Sequence, residues 1–104
     1  MRLWRLTMAK SIIQTVKRCA VCHTTLDLHR HHIFAGSDRA LSEKYGLTVW
    51  LCARHHNMSS EGVHNNIALD RKLKAIAQRR AMKHYGWNVE DWLKIFRRNY
   101  SGKL

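Results

Sequence analysis

The 104-residue sequence has little of what several common classes of protein require. It contains no proline, 3 cysteines, and only 7 acidic residues against 19 lysines and arginines. No apolar run approaches the roughly 18 to 20 residues of a membrane span, which excludes an integral membrane protein. Because three cysteines cannot all pair within one chain and no apolar signal segment precedes them, the sequence argues against a secreted disulfide scaffold.

The charge balance is the first positive feature of the sequence. A formal net charge of +12 favours a polyanionic partner, with nucleic acid ahead of an anionic membrane surface. The length predicts one domain. We divide the chain into a basic N-terminal segment, residues 1–18, and a single domain, residues 19–104, whose C-terminal part is basic and helical. Met8 is an alternative start to Met1.

Residue alternation and turn residues predict a small α+β fold. We expect one strand within residues 26–34 and a second at residues 47–51, ending at Cys52. Asp70 is expected to cap a helix over residues 71–85 that stops at Gly86, and Asn88 to cap a final helix. Residues 11–16 fit either a strand or a short helix.

Two pairs of metal-ligating residues have the spacing of a zinc knuckle. They are Cys19 with Cys22 and Cys52 with His55, separated by 29 residues. A two-residue gap lets one tight turn place both members of a pair on one ion, and zinc takes four such ligands in a tetrahedron. A closed site of this kind has no open coordination position. We therefore expect a structural Zn²⁺ that stabilises a small fold and performs no chemistry.

A second set of histidines flanks the same pairs. His31 and His32 would lie on opposite faces of a strand, so one could bind a metal while the other points toward a different target. His56 and His64 would be about 12 Å apart on a continuous helix and could not share an ion. Residues 59–62, however, contain the serines and the glycine that let the chain fold back.

Together these motifs resemble the HNH endonucleases, which have the ββα-metal nuclease fold, and in particular their small zinc-knuckle members from bacteriophages. The resemblance covers most of residues 19–66, and the helical continuation to Gly86 looks similar too. It is carried by Cys19-x-x-Cys22, Leu28-His29-Arg30-His31-His32-Ile33-Phe34, Ser42-Glu43-Lys44-Tyr45-Gly46, Trp50-Leu51-Cys52-x-x-His55-His56-Asn57 and Gly62-Val63-His64-Asn65. Two C-x-x-[CH] pairs with a double histidine between them form a specific pattern, whereas a double histidine alone is weak.

The resemblance implies a role for each histidine of the second set. His32 would be the general base that takes a proton from water, and His31, His56 and His64 would hold one catalytic divalent ion. The reaction would be hydrolysis of DNA phosphodiester bonds, by nicking or double-strand cleavage, with 5′-phosphate and 3′-hydroxyl products. His29 stays open between a metal ligand, a phosphate contact and an outer-shell residue.

One position departs from the family pattern. The asparagine that names the family usually precedes the cysteine of the second strand by a few residues, and here that position holds Leu47. We therefore expect Asn57 or a backbone carbonyl to orient His32. The departure concerns how the base is held and leaves the reaction class unchanged.

The implied ligand set bears on the identity of the catalytic ion. Magnesium prefers oxygen ligands, whereas imidazole suits zinc, nickel, manganese or cobalt. No acidic residue occupies a matching ligand position. Among Mg²⁺, Mn²⁺, Ni²⁺, Co²⁺ and Zn²⁺, we expect a transition metal to support activity at least as well as Mg²⁺.

The basic residues of the predicted helix are expected to contact DNA phosphates without reading sequence. They are Arg71, Lys72, Lys74, Arg79, Arg80 and Lys83. Several aromatic residues could stack on bases, but their positions within apolar faces favour packing in the core. These are Trp50, Tyr85, Trp87 and Trp92.

Three hypotheses for function follow. The leading one is an HNH endonuclease of phage or prophage origin that acts on DNA in the cytoplasm of a bacterial host, has no membrane partner, and works with phage packaging or recombination proteins. The second is a non-catalytic zinc-knuckle DNA-binding module with the same fold. The third is an RNA-binding zinc ribbon of ribosomal type, which accounts for the charge and the cysteines but leaves the second set of histidines unexplained.

Overall fold

The computed structural model describes residues 10–58 and 62–101. In chain order the elements are β1 (Leu28–His32), a 3-10 turn (Gly36–Asp38), α1 (Arg39–Tyr45), β2 (Thr48–Cys52), a short π-helical segment (Arg54–Met58), α2 (Ile67–Tyr85) and α3 (Val89–Phe96). The two strands form an antiparallel sheet, and residues of all three helices pack around the same core. The α+β class is therefore confirmed.

The sheet runs from the surface into the core. Leu28 lies opposite Cys52, and His31 lies opposite Val49. Along β1 the side chains change from half-buried at its start to buried at His31 and His32. Both strands lie close to where the residue pattern predicted them, but β1 is shorter than expected. Asp27 has φ 51, a value incompatible with a strand, so pairing begins only at the next residue.

No sequence pattern predicted α1, the helix between the two strands. Its residue Ser42 is fully buried, and the Ser42 hydroxyl accepts from the N–H of Phe34 at 2.9 Å and donates to the C=O of Phe34 at 2.7 Å. Gly46 ends the helix in the left-handed conformation, with φ 72. These contacts hold α1 against the end of β1, next to the double histidine.

An aromatic cluster joins the sheet to α3. The ring of Phe34 lies 4.8 Å from Phe96 and 5.5 Å from Trp92, centroid to centroid. Trp92 is fully buried, stacks on Phe96, and donates its indole N–H to the C=O of Arg98 at 2.8 Å. Burial together with a satisfied N–H is the usual state of a core tryptophan, which confirms the core role expected for Trp92.

The other aromatic residues considered for base stacking also make contacts within the protein. Tyr85 and Trp87 stack on each other at 4.7 Å, and the ring of Tyr45 packs edge-on against both. Trp50 is half-buried, and the ammonium of Lys17 lies 4.5 Å from the centroid of its ring.

The boundaries of α2 differ at one end from the prediction. The helix begins at Ile67, because the side chain of Asn66 accepts from the N–H of Leu69 at 3.2 Å and so caps it. Asp70, the expected cap, lies inside the first turn of the helix. The stop at Gly86 is confirmed, and the expected Asn88 cap of α3 is a capping box with Asp91.

Residues 11–16 form neither a strand nor a helix. Two of their side chains instead bond the backbone of β2 at its outer edge. The side-chain carbonyl of Gln14 accepts from the N–H of Trp50 at 2.8 Å, and the Ser11 hydroxyl donates to the C=O of Thr48. These side chains thus satisfy backbone N–H and C=O groups at the edge of the sheet, where a third strand would otherwise pair. The first half of the predicted basic segment and the alternative start at Met8 lie outside the described residues.

The longest helix among residues 10–58 and 62–101 is α2, and none of the described helices combines the length and apolar content that a membrane crossing needs.

Gly46 provides a test of the packing between α1 and the N-terminal segment. A Cβ at Gly46 would lie 2.2 Å from the Lys10 carbonyl oxygen, and φ 72 is itself unfavourable for an L-residue. We expect Gly46→Ala to lower the free energy of unfolding by more than about 2 kcal/mol. Gly86→Ala is the control, because Gly86 has φ 69 but nothing within 4 Å of its Cβ position. Equal losses in urea unfolding would contradict the close contact at Gly46.

Candidate metal centres

The four residues of the predicted zinc knuckle come together in the structure. One potential ligand atom from each of Cys19, Cys22, Cys52 and His55 lies within 4.8 Å of the others. Cys22 Sγ and Cys52 Sγ are 3.7 Å apart, and His55 Nδ1 is 3.3 Å from Cys52 Sγ and 3.7 Å from Cys19 Sγ. A tetrahedral Zn²⁺ with its usual bond lengths has S···S edges of about 3.8 Å and S···N edges of about 3.5 Å. The knuckle cluster, defined by these four residues, can therefore hold a metal such as zinc.

Backbone hydrogen bonds prepare the knuckle for a metal. The N–H of His23 donates to the C=O of Cys19 at 2.9 Å, which closes the tight turn between the first two cysteines. Burial raises the pKa of the Cys19 thiol, but backbone N–H groups, led by that of Cys22, outweigh burial and bring it to about 6. Because a metal binds the thiolate, this environment favours the ligand form of Cys19.

The sheet brings the two halves of the knuckle together. Cys52 is the last residue of β2, and the N–H of Ala20 donates to the C=O of Trp50 at 2.8 Å. The first cysteine pair is thereby attached to the same strand that carries the second pair.

His31, His56 and His64 form a second group of potential ligands, which we call the histidine cluster. One ring nitrogen from each lies within 4.8 Å of the other two. The Nε2 atoms of His56 and His64 are 3.1 Å apart. Two imidazoles bound to one ion at about 2.1 Å would have their nitrogens about 3.0 to 3.4 Å apart, depending on geometry. The observed spacing fits a shared ion.

The buried end of the histidine cluster contains an unsatisfied polar atom. His31 is 5% exposed, and its Nε2 is buried without a hydrogen-bond partner among the described residues. Buried polar atoms are almost always paired, so an unpaired ligand nitrogen beside two others indicates a place for a cation. His64 is exposed at the other end, where a cleft of about 480 Å³ opens beside it.

Burial and neighbouring rings favour the uncharged form of two members of the histidine cluster, His31 and His56. Burial, followed by the charges of His56 and His64, lowers the pKa of His31 to about 4. Burial, followed by the charges of His64 and His29, lowers the pKa of His56 as well. Neutral imidazole is the form that binds a metal.

The chain folds back between His56 and His64, which the serine and glycine content of the connection permits. The N–H of Val63 donates to the C=O of His55 at 2.7 Å, and the N–H of His64 donates to the C=O of His56 at 3.2 Å. Gly62 permits this close approach, because a Cβ there would lie 3.0 Å from the carbonyl carbon and oxygen of His56. The π-helical segment is too short to separate the two histidines.

His29 lies on the same face of β1 as His31, as strand alternation predicted. Its Nδ1 is 2.9 Å from the Nδ1 of His56, whereas His64 approaches the Nε2 of His56. His29 and His64 thus contact different nitrogens of the His56 ring.

His32 contacts a residue for which the sequence suggested no role. Its Nε2 bonds the carboxylate of Glu43, which lies on α1. Asn57 was one of two expected partners of His32, the other being a backbone carbonyl, and it makes no bond to His32 within the described part of the chain. The contact between Glu43 and His32 could not be predicted, because α1 itself was not predicted.

Three of the six basic residues of α2 bond other groups of the protein: Lys74, Arg79 and Arg80. Lys74 is only partly exposed, and its ammonium pairs with Asp70 at 2.9 Å. Arg79 and Arg80 are exposed but donate to the C=O of Ser101 at 3.3 Å and of Ile13 at 3.4 Å. The remaining three are exposed: Arg71, Lys72 and Lys83. Arg71 and Lys72 directly follow Asp70, which lines the cleft beside His64.

Comparison of the chain with known protein families, with curated proteins and with solved structures finds no match.

Removal of one cysteine thiol tests the knuckle cluster. We expect Cys22→Ala to lose one equivalent of bound zinc and most of its folded structure, because metal binding at such a site contributes directly to folding. Zinc content by mass spectrometry and far-UV circular dichroism measure the two effects. The control is Thr25→Ala, an exposed position close in sequence to the turn. A Cys22→Ala protein that folds normally without zinc would contradict a structural role for the knuckle cluster.

Proposed function

We propose that this protein is a metal-dependent HNH endonuclease that hydrolyses DNA phosphodiester bonds. The observation that supports it best is the histidine cluster, in which the buried, unpartnered Nε2 of His31 lies beside His56 and His64. Three protein ligands with one side open to solvent are typical of catalytic metal sites, whereas closed four-ligand sites are structural. On this reading the ββα-metal core consists of β1, β2 and the short segment after β2.

The histidine cluster would hold the catalytic ion, and the knuckle cluster a structural zinc. A divalent ion bound there supplies Lewis-acid stabilisation of the charge that develops on a phosphate oxygen and on the leaving 3′-oxygen. The all-imidazole donor set fits Zn²⁺, Ni²⁺, Mn²⁺ or Co²⁺ better than Mg²⁺.

His32 would be the general base. It follows His31 directly in β1, so the strand places a ligand and a base next to each other with their rings on opposite faces. His32 is 8% exposed and bonds Glu43, which orients its ring. In this role a neutral imidazole takes a proton from the attacking water.

DNA is the substrate that the charge supports best. The net charge of +12 favours a polyanion, and the exposed Arg71 and Lys72 directly follow Asp70, which lines the cleft next to His64. Contacts from such residues to phosphates position a duplex without reading its sequence, and they weaken steeply with salt. Phage packaging or recombination proteins are partners that only the HNH resemblance suggests.

His29 would be an outer-shell residue of the catalytic site. If the Nε2 of His56 binds the ion, then its Nδ1 carries the proton and donates to the Nδ1 of His29. This arrangement fixes the tautomer and the ring orientation of His56.

The outer-shell role of His29 can be measured as metal affinity. We expect His29→Leu to retain two metal sites but to weaken binding at the histidine cluster by about 10- to 100-fold, measured by chelator competition. His84→Leu, at an exposed position on α2, is the control. Complete loss of the second metal in His29→Leu would instead make His29 a direct ligand.

A plasmid assay tests the proposed reaction. We expect the wild-type protein with Mn²⁺, Ni²⁺ or Mg²⁺ to nick or linearise plasmid DNA, and His32→Ala to cut at least about 10²-fold more slowly while binding DNA normally. His84→Ala, which removes an exposed histidine, should cut like the wild type. Equal cutting by His32→Ala would refute the base assignment. Wild-type protein that binds DNA but never cuts it with any of these ions would support a non-catalytic zinc-knuckle DNA-binding module.

A further inference from the structure

We infer that Glu43 is the positioning residue of the active site, and that it holds His32 in the tautomer whose Nδ1 is free to accept a proton. The inference rests on the proposed function, because it assigns to Glu43 a role in orienting the proposed base. It differs from the HNH pattern, which led us to expect Asn57 or a backbone carbonyl in this place.

The carboxylate of Glu43 fixes which nitrogen of His32 carries the proton. An ionised carboxylate only accepts hydrogen bonds, so the contact between it and Nε2 of His32 requires Nε2 to be the donor. The pKa of Glu43 is lowered, first by this hydrogen bond and also by the nearby Arg30 and Arg39 guanidinium groups, which keeps the carboxylate charged. A neutral His32 ring with its proton on Nε2 has its lone pair on Nδ1.

Local packing keeps this pair in place. His32 is the last residue of β1 and is nearly fully buried, which limits its ring to few orientations. Glu43 follows Ser42 on α1, and Ser42 bonds both backbone groups of Phe34, two residues beyond His32. The helix and the strand are thus attached to each other next to the contact between Glu43 and His32.

The helix α1 supplies the acidic side chain that contacts the buried end of β1. A carboxylate that orients a histidine base also stabilises the imidazolium that forms when the base takes its proton. Glu43 is suited to both effects, and it is not part of the histidine cluster.

The tautomer of His32 gives a test that is independent of activity. In zinc-loaded, nitrogen-15-labelled protein, long-range nitrogen–proton correlation spectra distinguish the two ring nitrogens. We expect wild-type His32 to carry its proton on Nε2. In Glu43→Ala we expect a mixture of tautomers, with two equivalents of zinc still bound. A proton on Nδ1 in the wild type, or an unchanged tautomer in Glu43→Ala, would overturn the inference.

Plasmid cleavage provides the second readout. We expect Glu43→Ala to lower kcat by about 10²-fold or more with little change in KM, and Glu43→Asp to recover part of the loss because it keeps the charge. Glu43 is 27% exposed, so these substitutions leave the core intact, which thermal unfolding checks. Glu90→Gln removes an exposed carboxylate from the first turn of α3 and is the control.

The two readouts separate the inference from the proposed function. Absence of cleavage by the wild type would overturn the proposed nuclease, whatever the tautomer of His32. Cleavage by the wild type with equal kcat in Glu43→Ala would overturn the positioning role of Glu43 alone.

Discussion

The antiparallel pairing of β1 with β2 is the interaction on which both metal centres depend. Leu28 lies opposite Cys52, so the strand that presents His29 and His31 pairs with the strand that ends in a knuckle ligand. A register shift of one residue would move His31 to the other face of β1 and separate it from His56 and His64. The same pairing attaches the first cysteine pair to the sheet through the bond from Ala20 to Trp50. The knuckle and the histidine cluster therefore each take one ligand, Cys52 and His31, from the same small sheet.

The two clusters differ in the property that separates structural from catalytic metal sites. The knuckle cluster uses four ligands and so leaves no coordination position for a substrate. The histidine cluster uses three and opens toward solvent at His64. A chain of this length buries a limited core, so a metal held by the knuckle cluster would add stability to the fold that carries the second site. The proposed division of roles follows from ligand number and exposure.

Local patterns predicted the parts of the site that depend on spacing. The two C-x-x-[CH] pairs indicated the knuckle, and strand alternation separated His31 from His32. The serines and Gly62 permitted the fold-back that brings His64 to His56. What could not be predicted depends on tertiary packing. The helix α1 is held by the buried hydroxyl of Ser42 on the backbone of Phe34, a contact that no periodicity reveals. The partner of His32 was missed for that reason. The start of α2 was also misplaced, because Asn66 and Asp70 are both good cap residues and it is Asn66 that caps the helix.

The central claim is that one sheet supports two metal sites of different kinds, and metal stoichiometry tests it most directly. The measurement is native mass spectrometry of the wild type and of His64→Ala, after saturation with zinc and removal of excess ion. The account predicts two bound zinc ions in the wild type, and one in a His64→Ala protein that remains folded. A wild type that binds a single zinc ion, or a His64→Ala protein that still binds two with unchanged affinity, would contradict it.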